Sequence, residues 1–281
     1  MKSERPANRR RVSMSDDRTG GPTALIGYTG FVGGTLLRSG GFDRLFNSSN
    51  VEEMAGGGYD LVVCAGVSAA KWLANKDPGA DKAAIGRLTG VLETVEAREF
   101  ILISTIDVYP DPSTGADEGA VIDPSLNHAY GAHRYELEEW VQARFPLARI
   151  LRLPALFGEG LRKNALYDLI NSNSTELINP AGEFQWYPMR RLRDDMEIMR
   201  QSDLRLVNLF GAPLAMREAI DAFFPDSRTG ASKEPAPRYD LRTRHAEAFG
   251  GSGSYILDRT LTLGEMARFV AAERRRQRTE D

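Results

Sequence analysis

Three side chains have the types and spacing for moving a proton beside a redox cofactor. Tyr130 and Arg134 stand one helical turn apart in the run AYGAHRYELEEW, so they share a helix face. A cation beside a phenol favours phenolate and lowers its pKa. Upstream, Thr105 ends the apolar run FILIST. A strand-end hydroxyl there can hold a substrate oxygen while Tyr130 exchanges a proton with a carbinol or carbonyl. Taken alone, the pair reads as a surface tyrosine with a solvated arginine. What precedes it in the chain reverses that reading.

The elements that must position these groups begin with TALIGYTGFVGGTLLR, residues 23–38. Residues 24–26 form the short apolar run of a buried parallel strand. Gly27, Gly30 and Gly33 follow at three-residue spacing, with Thr29 where the commoner fingerprint places its second glycine. Residues 31–37 continue as an apolar helix. Glycine lets backbone approach a pyrophosphate, and a helix N-terminus offers free N–H groups. The expected cofactor contacts here are Gly27, Gly30, Phe31, Val32 and Gly33.

Residues 44–47 read as a second strand. About 20 residues past the first glycine, an acid usually accepts from the adenine ribose. Asn47 and Ser48 stand there instead. No carboxylate opposes a 2′-phosphate, and Arg38 or Arg44 can pair with one. The expected cofactor is NAD(P), with a lean to NADP. Residues 59–65 read as a third strand ending in small Ala65 and Gly66, over which a cofactor can pass. Lys71 and Trp72 read as a surface lysine and a packing tryptophan. Residues 81–97 read as a helix from Ile85, Leu88, Leu92 and Val95. Residues 100–104 are a strand with Ser104 at its end, and residues 129–145 a helix.

Composition narrows the class. The chain has 281 residues, 42% of them hydrophobic, and a net charge of −3, which gives no reason to expect nucleic acid. Its single cysteine, Cys64, lies in an apolar run and suits a reducing cytosol. No apolar run reaches membrane-span length. The three histidines lack metal-ligand spacing, and the acids Asp107, Asp111, Asp117, Glu118 and Asp123 read as a solvated loop, so no metal is expected. The polar residues 1–22 read as a disordered tail. Beyond residue 156 the pattern gives a short helix at 167–170, strands near 184–187 and 204–210, and a helix at 214–224. A mobile loop at 227–238 and a closing helix at 265–273 complete it.

Four runs together give the chain a likeness: GYTGFVG at residues 27–33, ISTIDVYP at 103–110, AYGAHR at 129–134 and ILRLPALFGEG at 150–160. In order and spacing they resemble the extended short-chain dehydrogenase/reductases, the NAD-dependent epimerase/dehydratase group. The resemblance implies an α/β fold, with a doubly wound parallel Rossmann-type sheet and a small C-terminal α/β substrate domain. The dinucleotide-binding core would cover residues 23–155 and a smaller, partly interleaved substrate region residues 156–281. By motif position, Thr105, Tyr130 and Arg134 match the catalytic Ser/Thr, Tyr and Lys, and Leu153, Pro154 and Leu156 would lie near the nicotinamide. The implied substrate is a small molecule, a nucleotide sugar or related polyol, and the implied reaction is hydride exchange with Tyr130 as acid/base. A homodimer stays open.

The sequence also departs from the family. Arg134 replaces a lysine, the helix at residues 81–90 carries no Asn, and the acid after the second strand is missing. These departures motivate the competing expectation of a non-catalytic NAD(P)-binding sensor or scaffold.

Overall fold

The computed structural model describes residues 20–232 and 234–280. Most of the tail expected at 1–22 lies outside them. The central sheet has six parallel strands in the order β2-β1-β3-β4-β5-β9. They are β1 (Thr23–Ile26), β2 (Arg44–Phe46), β3 (Gly58–Cys64), β4 (Glu96–Thr105), β5 (Ala148–Leu153) and, past three short strands, β9 (Leu206–Asn208). Alternation along β1 shows why both faces are covered. Ala24 and Ile26 join one core with Leu92, Leu137 and Val141, while Leu25 joins another with Leu36, Met196 and Val207.

On the first face pack α3 (Pro78–Leu92) and α4 (Ala129–Arg144); on the second, α1 (Phe31–Ser39) and α6 (Leu192–Gln201). The short α2 (Lys71–Lys76) precedes α3. The chain runs outward from β1 to β2, then crosses back to β3 through a single 3-10 turn, Val51–Met54, in place of a helix. The strand order therefore reverses at β1 and β3, and in open α/β sheets the crevice at the strands' C-terminal ends beside such a reversal is the usual ligand position.

Past β5 the chain builds a second cluster from β6 (Ala155–Phe157), α5 (Ala165–Asn171), β7 (Glu183–Phe184), β8 (Trp186–Pro188), β10 (Leu214–Ala215), α7 (Met216–Phe223) and α8 (Arg259–Glu280). Phe157, Leu166, Trp186, Ile220 and Met266 form its core. β9 returns to the main sheet, so the two parts interleave. The closing helix is longer than the sequence suggests. Asp258 caps it by accepting from the N–H of Leu261 at 2.7 Å, before the apolar spacing becomes visible. Similarly, Asp77 accepts from Ala80 and Pro78 opens α3 three residues ahead of expectation, and Ala97 belongs to β4 rather than to that helix. Among the described residues of the segment 227–238 there is no helix; the Gly230 N–H donates to the Ile178 carbonyl, and the Pro237 carbonyl accepts from Glu183.

Candidate active site

The glycine loop separates into positions the fold needs and one it does not. Gly27 has φ +86°, and a Cβ there would stand 2.4 Å from the carbonyl oxygen of Ala65. At Gly33 a Cβ would stand 2.0 Å from the carbonyl of Gly27. Gly30 has an ordinary φ of −79°, and its Cβ would meet only the Gly27 carbonyl, at 3.4 Å. The protein itself leaves the space over Gly30 clear. Gly30 is also the N-cap of α1 and has no side chain to bond the first N–H groups of the helix. An uncapped first turn beside a clear backbone surface fits a pyrophosphate.

The rim of the crevice carries the other expected contacts. Ala65 bonds the Ile26 carbonyl at the end of β3, and the Ile26 side chain leaves no room for a Cβ on Gly66. Asn47, just past β2, donates to the Tyr28 hydroxyl at 3.2 Å and accepts from Ser49; Ser48 is exposed beside it. Leu153 lies in register with Thr105, followed by buried Pro154 and half-buried Leu156. A loop at 158–164 closes over this region. Arg38 donates to the Glu159 carbonyl at 2.9 Å, and the Lys163 ammonium to the Ala69 carbonyl at 3.0 Å. Arg38 is thus engaged by the loop at 158–164. Arg44 is exposed at the start of β2, two residues short of the crevice.

Tyr130 reaches Thr105 because α4 starts unusually close to the end of β4. A Cβ on Gly131 would lie 2.1 Å from the Asp107 carbonyl, so only glycine permits this approach. Asn127 fastens the joint by donating to the carbonyls of Asp107 and Val108, each at 2.9 Å. His128 caps α4 through Nδ1, which accepts from the Gly131 N–H at 3.0 Å. That bond fixes the neutral tautomer with Nε2 protonated. Asn75 of α2 accepts from the Tyr130 N–H at 2.9 Å. The result brings Tyr130 beside the Thr105 end of β4, near enough for Thr105 to act on its phenol. Ser104 does not join them, since its hydroxyl bonds the buried Glu138.

The electrostatics differ from the sequence expectation. Burial is the largest influence on Tyr130 and holds its phenol above the ordinary 10.0, although Arg134 and the Thr105 bond act downward. Arg134 itself is only 4% exposed. Its guanidinium lies over the Tyr130 ring face, 3.9 Å from the centroid, and its Nη atoms bond both carboxylate oxygens of Asp81. Nη2 also donates to the Ser68 carbonyl at 2.7 Å. Burial pushes the Asp81 carboxyl up, but hydrogen bonds from Arg134 and His133 outweigh it and hold it below its ordinary value.

Four polar groups at this site escaped the sequence reading. Asp81 is the counter-ion of Arg134, and His128 is the cap beside Tyr130. Lys71, read there as a surface residue, pairs with Asp107 at 2.6 Å. Tyr239, far along the chain, lies near enough to Lys71 and Asp107 for their charges to act on its phenol. No local pattern marks the Lys71, Asp81 and Tyr239 contacts; His128 could have been found as a polar residue just ahead of a helix. In the acidic loop, Asp111 and Asp123 bond Ser113 and Ser125 locally and Asp117 pairs with Arg244. Among the described residues no group of three or more His, Cys, Asp or Glu could hold a metal, and no helix is long and apolar enough to cross a membrane.

No protein-family model matches this sequence, and no curated protein matches it. Solved structures do match the fold. A complex of MoeE5 with UDP-glucose and NAD is 16% identical, with a TM-score of 0.70 over 92% of this chain and 100% of that one. TunA, an NAD-dependent NDP-hexosamine 5,6-dehydratase of tunicamycin biosynthesis, is 18% identical, with a TM-score of 0.69 over 91% and 98%. The UDP-N-acetylglucosamine 4-epimerase of Methanobrevibacter ruminantium M1 is 14% identical, with a TM-score of 0.68 over 90% and 97%. The chain therefore has, over nearly its whole length, the Rossmann-type fold of these nucleotide-sugar enzymes.

Proposed function

We propose that this chain is an NAD(P)-dependent oxidoreductase of the epimerase/dehydratase kind, acting on a nucleotide-linked sugar or related polyol. The observation that carries this reading is the close seating of the Tyr130 end of α4 on the end of β4, through Gly131 and Asn127, in a sheet whose first strand ends in an uncapped glycine turn. Backbone at Gly27, Gly30, Phe31, Val32 and Gly33 would hold the pyrophosphate. Asn47 and Ser48 would face the adenine ribose, Ala65 and Gly66 would lie beneath the dinucleotide, and Leu153, Pro154 and Leu156 would flank the nicotinamide. The bound nicotinamide supplies a carbon that takes or returns a hydride.

The protein's own groups do the rest. The Thr105 hydroxyl orients the substrate oxygen; Tyr130 takes its proton as phenolate on oxidation and gives it back as phenol on reduction. Burial shields Tyr130 from bulk water and favours the phenol, so the phenolate needed for oxidation forms against that burial, with Arg134 favouring it. Support for a nucleotide sugar comes from the fold shared with the UDP-sugar enzymes. The buried Cys64 suits a reducing cytosol.

Tyr130→Phe tests the assignment. It should leave folding and cofactor affinity nearly unchanged while lowering turnover by roughly two to four orders of magnitude. An active wild type whose Phe variant keeps most of its rate would sink it. A specific observation favours a second reading, that of a cofactor sensor. The Arg134 guanidinium is bound to Asp81 and Ser68, where the family's lysine would serve the nicotinamide ribose. Cofactor binding without turnover across a broad nucleotide-sugar panel would select it.

A further inference from the structure

Asn47 stands where an acid usually accepts from the adenine ribose, but its own acceptor is already taken. Its Oδ1 accepts from the Ser49 N–H at 2.8 Å and from the Ser49 hydroxyl at 2.6 Å. A backbone N–H can only donate, so the amide is fixed with its oxygen toward Ser49 and its nitrogen on the opposite side. Asn50 holds the same turn. Its Oδ1 accepts from the Asn47 N–H at 2.8 Å, and its Nδ2 donates to the Leu45 carbonyl at 3.2 Å. With both lone pairs of Oδ1 occupied, Asn47 cannot replace a carboxylate as the ribose acceptor.

The other side of that amide meets the glycine turn. Asn47 Nδ2 donates to the Tyr28 hydroxyl at 3.2 Å. Tyr28 directly follows Gly27, and Asn47 directly follows β2, so the phenol spans from the glycine turn to the end of the second strand. Both side chains are half-buried. Because the amide orientation is fixed, the Tyr28 oxygen must accept from Asn47. Its second lone pair and its own proton remain for another partner. A ligand whose pyrophosphate lay on the turn at Gly30 would carry its adenine ribose toward this rim.

We propose that Tyr28 reads the adenine ribose, its hydroxyl oxygen accepting from a ribose hydroxyl in place of the missing carboxylate, and that Asn47 holds the phenol there. The inference rests on the reading of the glycine turn as a dinucleotide site and deepens it. Tyr28 is a binding residue with no part in the proton transfer at Tyr130. The acid's function passes to a neutral group from the turn itself, and the amide at the acid's position becomes its support.

Calorimetric titration of the full chain tests this with NAD and with two NAD analogues, one lacking the 2′-hydroxyl and one the 3′-hydroxyl of the adenosine. The wild type should bind one analogue about fivefold more weakly than NAD, the loss of one hydrogen bond. Tyr28→Phe keeps the ring and removes the oxygen. It should bind NAD about fivefold more weakly than the wild type does, and should no longer distinguish NAD from that analogue. Equal affinities of wild type and Tyr28→Phe for NAD would overturn the proposal. Tighter binding by the variant would also overturn it, since the hydroxyl would then stand in the ligand's way. So would a loss of the same size for NAD and both analogues, which would mean that Tyr28 acts only on the shape of the turn. If Tyr28→Phe does not fold, the wild type decides: a gap confined to one hydroxyl sustains the proposal, and equal affinities for all three ligands overturn it. Failure of the wild type to bind NAD would remove the proposal together with the dinucleotide reading. The expected differences without turnover would remove the enzymatic reading and keep Tyr28 in this role, and turnover with coincident affinities would do the reverse.

Discussion

A single added methyl group distinguishes what the glycine loop does for the fold from what it does for a ligand. At Gly33 it would overlap the Gly27 carbonyl at 2.0 Å. Gly33→Ala should therefore cost about 3 kcal/mol or more in stability, as forced overpacking does, and urea unfolding would show it. Gly30→Ala meets one carbonyl at 3.4 Å and should cost about 1 kcal/mol or less, mostly at the helix cap. Its affinity for the dinucleotide should nevertheless fall about tenfold. Equal calorimetric titrations of wild type and Gly30→Ala would mean that the loop is only a turn. His128 gives a pH prediction at the same scale. Burial, then the charge of Lys71, holds its imidazole below the ordinary 6.5. A depressed folded value means that the stability it contributes is present above about pH 6.5 and is lost as pH falls through the folded value. His128→Asn keeps a capping acceptor and removes the titration, so its melting temperature should fall less than the wild type's between pH 7 and 5. Parallel falls would place the acid sensitivity elsewhere.

At the scale of elements, α4 decides where Tyr130 stands, and a buried charge network holds it. Glu138 of α4 pairs with Arg152 of β5 at 2.6 Å, with side-chain exposures of 2% and 3%. Arg152 also donates to the Tyr109 hydroxyl at 2.7 Å, and Ser104 bonds the same glutamate. Glu138→Ala would leave the guanidinium buried without its partner, which typically costs about 3–5 kcal/mol. A loss below about 1 kcal/mol in urea unfolding would show that water or Tyr109 takes the partner's place. The sequence displays α4 through its apolar and charged spacing but not this network, because its members come from three distant segments. Element starts were also less legible than interiors. Asp77-Pro78 and Asp258 are capping signals that carry no hydrophobic period, and α3 and α8 begin at them.

For the whole molecule, a dinucleotide bound where β1 and β3 reverse the strand order would make folding and cofactor binding one equilibrium. A dinucleotide that binds only the folded chain should add about 2.7 kcal/mol of stability at 100 times its dissociation constant, seen as a rise in melting temperature. No rise with either NAD or NADP would remove the cofactor from the reading. The choice between them is altered by the fold. Arg38 is engaged by Glu159 across the loop at 158–164, and Arg44 lies at the start of β2. A 2′-phosphate gains Arg38 only by drawing it from the Glu159 carbonyl, so NAD should bind at least as tightly as NADP. A preference for NADP of about tenfold or more, weakening with salt, would show that an arginine turns to the phosphate.

Local chemistry determined much of this protein by itself. The apolar runs at residues 24–26, 61–64 and 100–103 can satisfy their backbones and bury their side chains together only in a covered parallel sheet. The glycines at 27 and 33 are written into the sequence because only a missing Cβ fits there. Tyr130 and Arg134 share a helix face for the same kind of local reason. What Arg134 touches is a different matter. Asp81 lies 53 residues away in sequence, and Lys71, Asp107 and Tyr239 meet only when α2, the end of β4 and the C-terminal region converge. Periodicity reports which face of an element is buried, not which charged groups of other elements lie against it. The tertiary structure therefore decided that Arg134 belongs to Asp81, that burial outweighs the nearby cation at the Tyr130 phenol, and that Lys71 pairs with Asp107. Each depends on distance and desolvation, which a linear pattern does not contain.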